Sequence, residues 1–149
     1  MGKRTWIDSD IWSDVDDLNN REKMFYIYLL TNGQRNIAGY YKINLKYVAS
    51  DLGTTVNEVE ELMANGRKYW DYDPETKQVL IPKFTRYNLV KSRQQCSALN
   101  AELEKLKPCR LHKKFLDAFV EVNGLGAELM LDGRFRSQCE DNIYKEVTH

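Results

Sequence analysis

The sequence predicts a mainly α-helical fold with a small β-hairpin, and three observations within residues 45–81 carry that prediction. Residues 45–52 and 56–68 read as two short amphipathic helices. Gly53-Thr54-Thr55 joins them as a tight turn. Asp73-Pro74-Glu75-Thr76-Lys77 reads as a five-residue hairpin loop with β-type residues on both sides. Helix, turn, helix and two-stranded ribbon is the layout of a winged helix-turn-helix, here with additional C-terminal helices. The expected division is a winged-helix domain over residues 1–90 and a helical extension over residues 91–149 that serves packing or oligomerisation.

Each element has a local reason. Residues 6–12 are short and aromatic, expected to be extended and to pack Trp6 and Trp12 on the core. Asn19 with Glu22 three residues on is a capping-box pair. The helix beyond carries Met24 through Leu30 almost without a polar residue, so it is expected to be central and buried. Asn32 or Gly33 suits a left-handed C-terminal position. Residues 37–43 read as a short strand, and Asn44 as the cap of the next helix. Leu45, Val48, Ala49 and Leu52 form one apolar stripe, and Gly53 closes it. Thr55 and Glu58 form a second capping pair before Val56, Val59, Leu62 and Met63. Ser92 with Gln95 caps a helix carrying Cys96, Leu99, Leu103 and Leu106, a short seam at 3-4-3 spacing. That seam either packs on its own chain or forms an oligomer contact. Pro108 ends this helix. Leu111, Phe115, Ala118, Phe119 and Val122 make a further helix face ending at Gly124 or Gly126. Phe135, Cys139, Ile143 and Val147 follow at four-residue steps.

Composition narrows the function. The chain has 149 residues, 42% hydrophobic and 30% charged, which is globular rather than disordered. Such a length buries roughly two-thirds of the unfolded surface. No apolar run reaches membrane-spanning length, and the first residues carry no secretory signal, so a cytoplasmic protein is expected. Three irregularly spaced cysteines do not make a disulfide framework and fit a reducing compartment. Cys109-x-x-His112 with Cys139 and His149 lacks a second close ligand pair, so no zinc site is expected. The acidic residues Asp8, Asp10, Asp14, Asp16 and Asp17 read as a solvated segment rather than a cation site. No nucleophile motif, phosphate-cradling glycine loop or cofactor fingerprint is present, so catalytic residues, metals and cofactors are all expected to be absent.

Net charge is zero, but its distribution is uneven. Residues 55–73 carry two bases and five acids, whereas residues 76–101 carry five bases and no acid. The basic stretch begins in the hairpin loop, where it can meet a polyanion.

Residues 24–107 together resemble the N-terminal winged-helix domain of DnaD-like phage replisome organisers. The pieces that carry the resemblance are Tyr28-Leu29-Leu30-Thr31-Asn32, Asn36-Ile37-Ala38-Gly39-Tyr40-Tyr41 and the stretch from Leu45 to Gly53. Val56-Asn57-Glu58-Val59-Glu60-Glu61-Leu62, the hairpin, and Tyr87-Asn88 before a charged helix complete it. The resemblance implies a protein that binds double-stranded DNA at replication initiation, self-associates, and helps recruit the replicative helicase or its loader. Family members commonly carry a further helical DNA-binding domain, for which residues 108–149 are too short.

The expected DNA surface is basic. The outward face of the second helix offers Asn57, Glu58, Glu60 and Glu61, which repel a polyanion, so only its far end, Arg67 and Lys68, suits DNA. Lys77 in the hairpin, Lys83, Arg86, Lys91 and Arg93 beyond it, and Lys42 and Lys46 near the first helix of the pair complete the set. Phosphate contacts of this kind position a protein without reading sequence. If about five of them form, log K falls with log salt at a slope of roughly −4 to −5. Tyr72 and Tyr87 could stack on bases, although a core or rim role suits them better. Two other readings share the fold: a protein-docking scaffold of the replisome, favoured by the acidic second helix, and a sequence-specific transcriptional repressor.

Overall fold

Asn19 starts the helix around which the fold is built. Its side chain accepts from Glu22 N at 2.8 Å, while Glu22 Oε1 accepts from Asn19 N at 3.0 Å. Two backbone donors of the first turn are thereby satisfied. The computed structural model describes residues 4–148, with side chains described through residue 140. The short α1 (Ile11–Asp14) precedes α2 (Asn20–Thr31), which buries Phe25, Tyr26, Leu29 and Leu30. Its apolar surface is narrower than the sequence run implies, since Met24 is 67% exposed. Asn32 ends α2 without a left-handed turn, at φ −67°. Its side-chain amide donates instead to Tyr28 O and Leu29 O, at 3.0 and 3.3 Å. The side chain thus satisfies carbonyls that a left-handed cap would otherwise serve.

The chain is mainly helical with a three-stranded antiparallel sheet. The strands β1 (Tyr40–Lys42), β2 (Asp71–Asp73) and β3 (Gln78–Leu80) lie in the order β1-β3-β2. Tyr40 and Asp71 both sit opposite Leu80, and Lys42 and Asp73 both sit opposite Gln78. Between β1 and β2 run α3 (Leu45–Leu52) and α4 (Val56–Ala64). Asn44 caps α3, accepting from Lys46 N at 3.0 Å, and Gly53 closes it at φ +64°. Thr55 accepts from Glu58 N, but Glu58 does not return the bond; its carboxylate pairs with Arg21 at 2.7 Å.

Alternation along the strands gives the sheet two covered faces. Tyr41, Ile43, Val79 and Ile81 share a core with α2, α3 and α4. Tyr40 and Leu80 point the other way, into a second core with α6 (Arg93–Glu104), α7 (Arg110–Asn123) and α8 (Gly133–Thr148). The short α5 (Phe84–Tyr87) follows β3, and a 3-10 turn, Ala127–Met130, links α7 to α8. The sheet therefore belongs to both halves of the chain. Phe135 and Cys139 of the four-residue series are buried in the second core, whereas Ile143 and Val147 lie outside the described side chains.

Three expectations change here. Trp6 and Trp12 are 73% and 63% exposed rather than packed on the core. Asn88 holds the backbone of Trp6 from both sides, at 2.8 and 3.1 Å, and Ile7, Ile11 and Val15 take the inward positions. The second concerns residues 96–106, for which the sequence left own-chain packing and an oligomer contact both open. Leu99, Leu103 and Leu106 are buried within the chain's own second core, beside Leu111, Phe115 and Phe119. Cys96 is half-buried, and its thiol donates to Met130 O at 3.0 Å. The three leucines thus pack on their own chain, the first of the two alternatives that the sequence left open.

The third correction is the end of α4, at Ala64 rather than residue 68. Trp70 folds beneath the helix and donates its indole N–H to Leu62 O at 3.0 Å. A Cβ on Gly66 would lie 2.0 Å from Trp70 O, so only glycine admits this approach. Arg67 follows at φ +52°, already off the helix.

Behind the sheet lies a buried polar node. Tyr40 Oη is 2.6 Å from His112 Nδ1 and 3.3 Å from Cys109 Sγ. Gln78 clasps the backbone of Lys107, accepting from its N at 2.7 Å and donating to its O at 2.9 Å. His112 is fully buried, stacked on Phe135 with ring centroids 4.7 Å apart. Burial pushes its pKa down to about 4, against a hydrogen bond with Gln138 that opposes the shift. The folded value lies below the unfolded one, so the unfolded chain binds the extra proton between pH 4 and 6.5. Stability attached to neutral His112 is therefore complete above pH 6.5 and lost as pH falls towards 4, about 3 kcal/mol in all. Urea unfolding across that range should show this loss in the native chain and a much flatter profile in His112→Gln.

Candidate nucleic-acid interface

A cleft of about 1120 Å³ opens between α3, α4 and the β2–β3 hairpin. Local bonds set its walls. Gln34 Oε1 accepts from Asn44 N at 2.7 Å, and Ile43 N donates to Lys77 O at 2.9 Å, extending β1 along the hairpin. The hairpin loop is Pro74 to Lys77, four residues, because Asp73 already pairs with Gln78. The five-residue loop expected from the sequence is shorter by that one residue. Asp73 Oδ2 accepts from Thr76 N at 3.0 Å, and Lys77 N donates to Asp73 O at 2.8 Å. Lys77 is left at φ +58°, a left-handed position that turns the chain into β3.

Three cations from two stretches of the chain meet in this cleft. Lys42 comes from β1, Lys46 from the first turn of α3 and Lys77 from the hairpin. All three are exposed, and none forms an ion pair among the described residues. Arg110, from α7, also lines the cleft and was not anticipated. Its contribution has no local signal in the sequence, because it depends on α7 packing beside β2. Glu60 and Asp71 are the carboxylates in the lining, so cations outnumber anions two to one. Asp71 is bound by Arg110 and Lys114, at 2.8 and 2.7 Å. Burial raises its pKa, but the hydrogen bonds from these two cations outweigh that and hold it at about 2. Tyr72 is half-buried on the same wall, its hydroxyl pKa raised by burial and by Glu60.

The remaining expected residues do not join them. Arg67 turns towards α2, 3.6 Å from Asp17 and 3.5 Å from Glu22. Lys68 and Lys83 both lie over the Tyr69 ring, at 5.3 and 5.9 Å. Lys83 leaves β3 at the end opposite Lys77, which is why a run of neighbours in sequence is not a patch in space. Arg86, Lys91 and Arg93 are exposed on α5 and at the start of α6, outside the cleft lining. Tyr87 is half-buried and donates to Asp14 at 3.0 Å. The exposed surface of α4, Asn57, Glu60 and Glu61, is acidic. Among the described residues no group of His, Cys, Asp or Glu is placed to hold a metal ion; His149 lies outside them. The three cysteines are free thiols. No helix among the described residues is long and apolar enough to cross a membrane.

Comparison with protein-family models, with curated proteins and with solved structures found no match.

Proposed function

We propose that this chain is a winged-helix protein that binds double-stranded DNA through the cleft, mainly by phosphate contacts. The observation that carries the reading is the meeting of Lys42, Lys46 and Lys77, unpaired among the described residues, between the helix pair and the hairpin. Support for the winged-helix assignment is the element order α2-β1-α3-α4-β2-β3 together with the strand order β1-β3-β2. The acidic surface of α4 opposes deep insertion into the major groove, because Glu60 and Glu61 would face the polyanion across a partly desolvated contact. DNA then lies along the hairpin and the start of α3. Backbone contacts without base readout give weak sequence preference.

A role at replication initiation, with the replicative helicase or its loader as partner, rests on the resemblance of residues 24–107 described above. Self-association, also implied by that resemblance, would need a surface other than Leu99, Leu103 and Leu106, which are buried. The scaffold reading keeps one specific support, the acidic α4 face, which suits a basic protein partner better than DNA.

The test is equilibrium binding to a mixed-sequence duplex over a salt series. Three phosphate contacts give a log–log slope of roughly −3. Unlabelled random duplex should compete about as well as any chosen sequence. A slope near zero removes the DNA reading and leaves the scaffold.

A further inference from the structure

At the outer edge of the cleft, one carboxylate is shared by two cations. Arg110 grips Asp71 side-on, Nη1 at 2.8 Å from Oδ2 and Nη2 at 2.9 Å from Oδ1. Lys114 Nζ reaches the same Oδ2 at 2.7 Å. Arg110 also donates to Tyr72 O at 3.2 Å, which sets its plane against the hairpin. Arg110 and Lys114 are one turn apart on one face of α7. Their side chains are 44% and 42% exposed, against 22% for Asp71. Two cations therefore face outward around a single, more sheltered anion, and the trio keeps a net positive charge. The guanidinium fork that fits a carboxylate also fits two oxygens of a phosphate.

We propose that Arg110, in the cleft lining, and Lys114, one turn further along α7 and outside that lining, are phosphate-contacting residues, and that Asp71 is an internal carboxylate competing with nucleic-acid phosphate for them. The proposal rests on the DNA reading above and extends it to the C-terminal layer. Neither cation belongs to the basic stretch of residues 76–101. They reach the hairpin only because α7 packs beside β2. Asp71 thereby lowers affinity while holding the empty cleft in order. By neutralising part of the charge of the two cations, Asp71 lowers the affinity and the salt sensitivity of the contact alike, and adds no sequence preference.

The experiment compares the full chain with Asp71→Asn, with Arg110→Gln/Lys114→Gln and with Lys42→Gln/Lys46→Gln/Lys77→Gln, all on one mixed-sequence duplex across a salt series. Asp71→Asn is expected to bind several-fold tighter, with a slope steeper by about 1. Arg110→Gln/Lys114→Gln is expected to bind several-fold weaker, with a slope shallower by about 1 to 2. Thermal unfolding establishes that each variant is folded; if Asp71→Asn is not, the double glutamine variant decides by itself. Unchanged binding by the α7 variant, beside a large loss in the triple variant, overturns this proposal and leaves the DNA reading standing. Unchanged or weaker binding by a folded Asp71→Asn overturns the competition. If the unaltered chain shows a slope near zero, the DNA reading fails and this proposal fails with it.

Discussion

Lys42→Glu/Lys46→Glu/Lys77→Glu is expected to abolish duplex binding at physiological salt while leaving the fold intact. Each of these lysines is exposed and unpaired among the described residues, so no ion pair described here is lost when its charge is reversed. Surface changes of this kind typically alter stability by less than about 0.5 kcal/mol each. Their effect on a polyanion is far larger, because three attractions become three repulsions within one cleft. Removing three phosphate contacts alone lowers the salt slope by roughly 3. The matched control is Arg86→Glu/Lys91→Glu/Arg93→Glu, which changes overall charge equally but lies outside the cleft lining. Fluorescence anisotropy with a labelled duplex should show no binding for the first variant and retained binding for the second. Equal losses in the two would mean that overall charge, not the cleft, governs the interaction.

The second large effect is structural. Gly39→Ala is expected to destabilise the chain by more than about 4 kcal/mol, a large share of the roughly 5–15 kcal/mol available to a domain. Gly39 sits at φ +66°, where an L side chain costs about 1–2 kcal/mol. Its Cβ would also lie 2.1 Å from Phe84 Cβ and 2.3 Å from Phe84 Cγ. Phe84 cannot rotate away from the first contact, since its Cβ is tied to the backbone of α5, and its ring is 3% exposed. Relief requires α5 to move away from Gly39, yet Gly39 O accepts from Ile81 N, three residues before Phe84, at 2.8 Å. The same displacement would shift Lys42, three residues on. Urea unfolding should therefore show a midpoint far below that of the unaltered chain, with DNA binding weakened in parallel. A midpoint within error of the unaltered chain would refute the close packing described for Gly39.

The parts of the fold that were legible in the sequence are those governed by near neighbours. Asn19, Asn44, Thr55 and Ser92 each start a helix through a bond to a backbone N–H two or three residues on. The apolar stripes of α3 and α4 and the turn chemistry of the hairpin have the same short reach. Errors began where a second segment competed. Arg67 and Lys68 continue the helical pattern of α4, but Trp70 closes the helix early by bonding Leu62. Trp6 and Trp12 are the largest apolar side chains of their segment, but Asn88 anchors the backbone so that Ile7 and Ile11 face inward.

The candidate site shows the same division. From the sequence alone came the helix pair, the hairpin, the second helix's acidic face and the candidacy of Lys42, Lys46 and Lys77, all properties of composition and spacing within a few residues. Tertiary structure alone decided which cations share a surface: it separated Lys83 from Lys77 by the length of β3, turned Arg67 back to Asp17, buried the leucine seam in the second core, and brought Arg110 across 39 residues to Asp71. The physical reason is that charge on a side chain is a property of one residue, whereas the field at a cleft depends on where packing of apolar faces carries the backbone. Two sheet faces, each covered by its own helical layer, made that choice here.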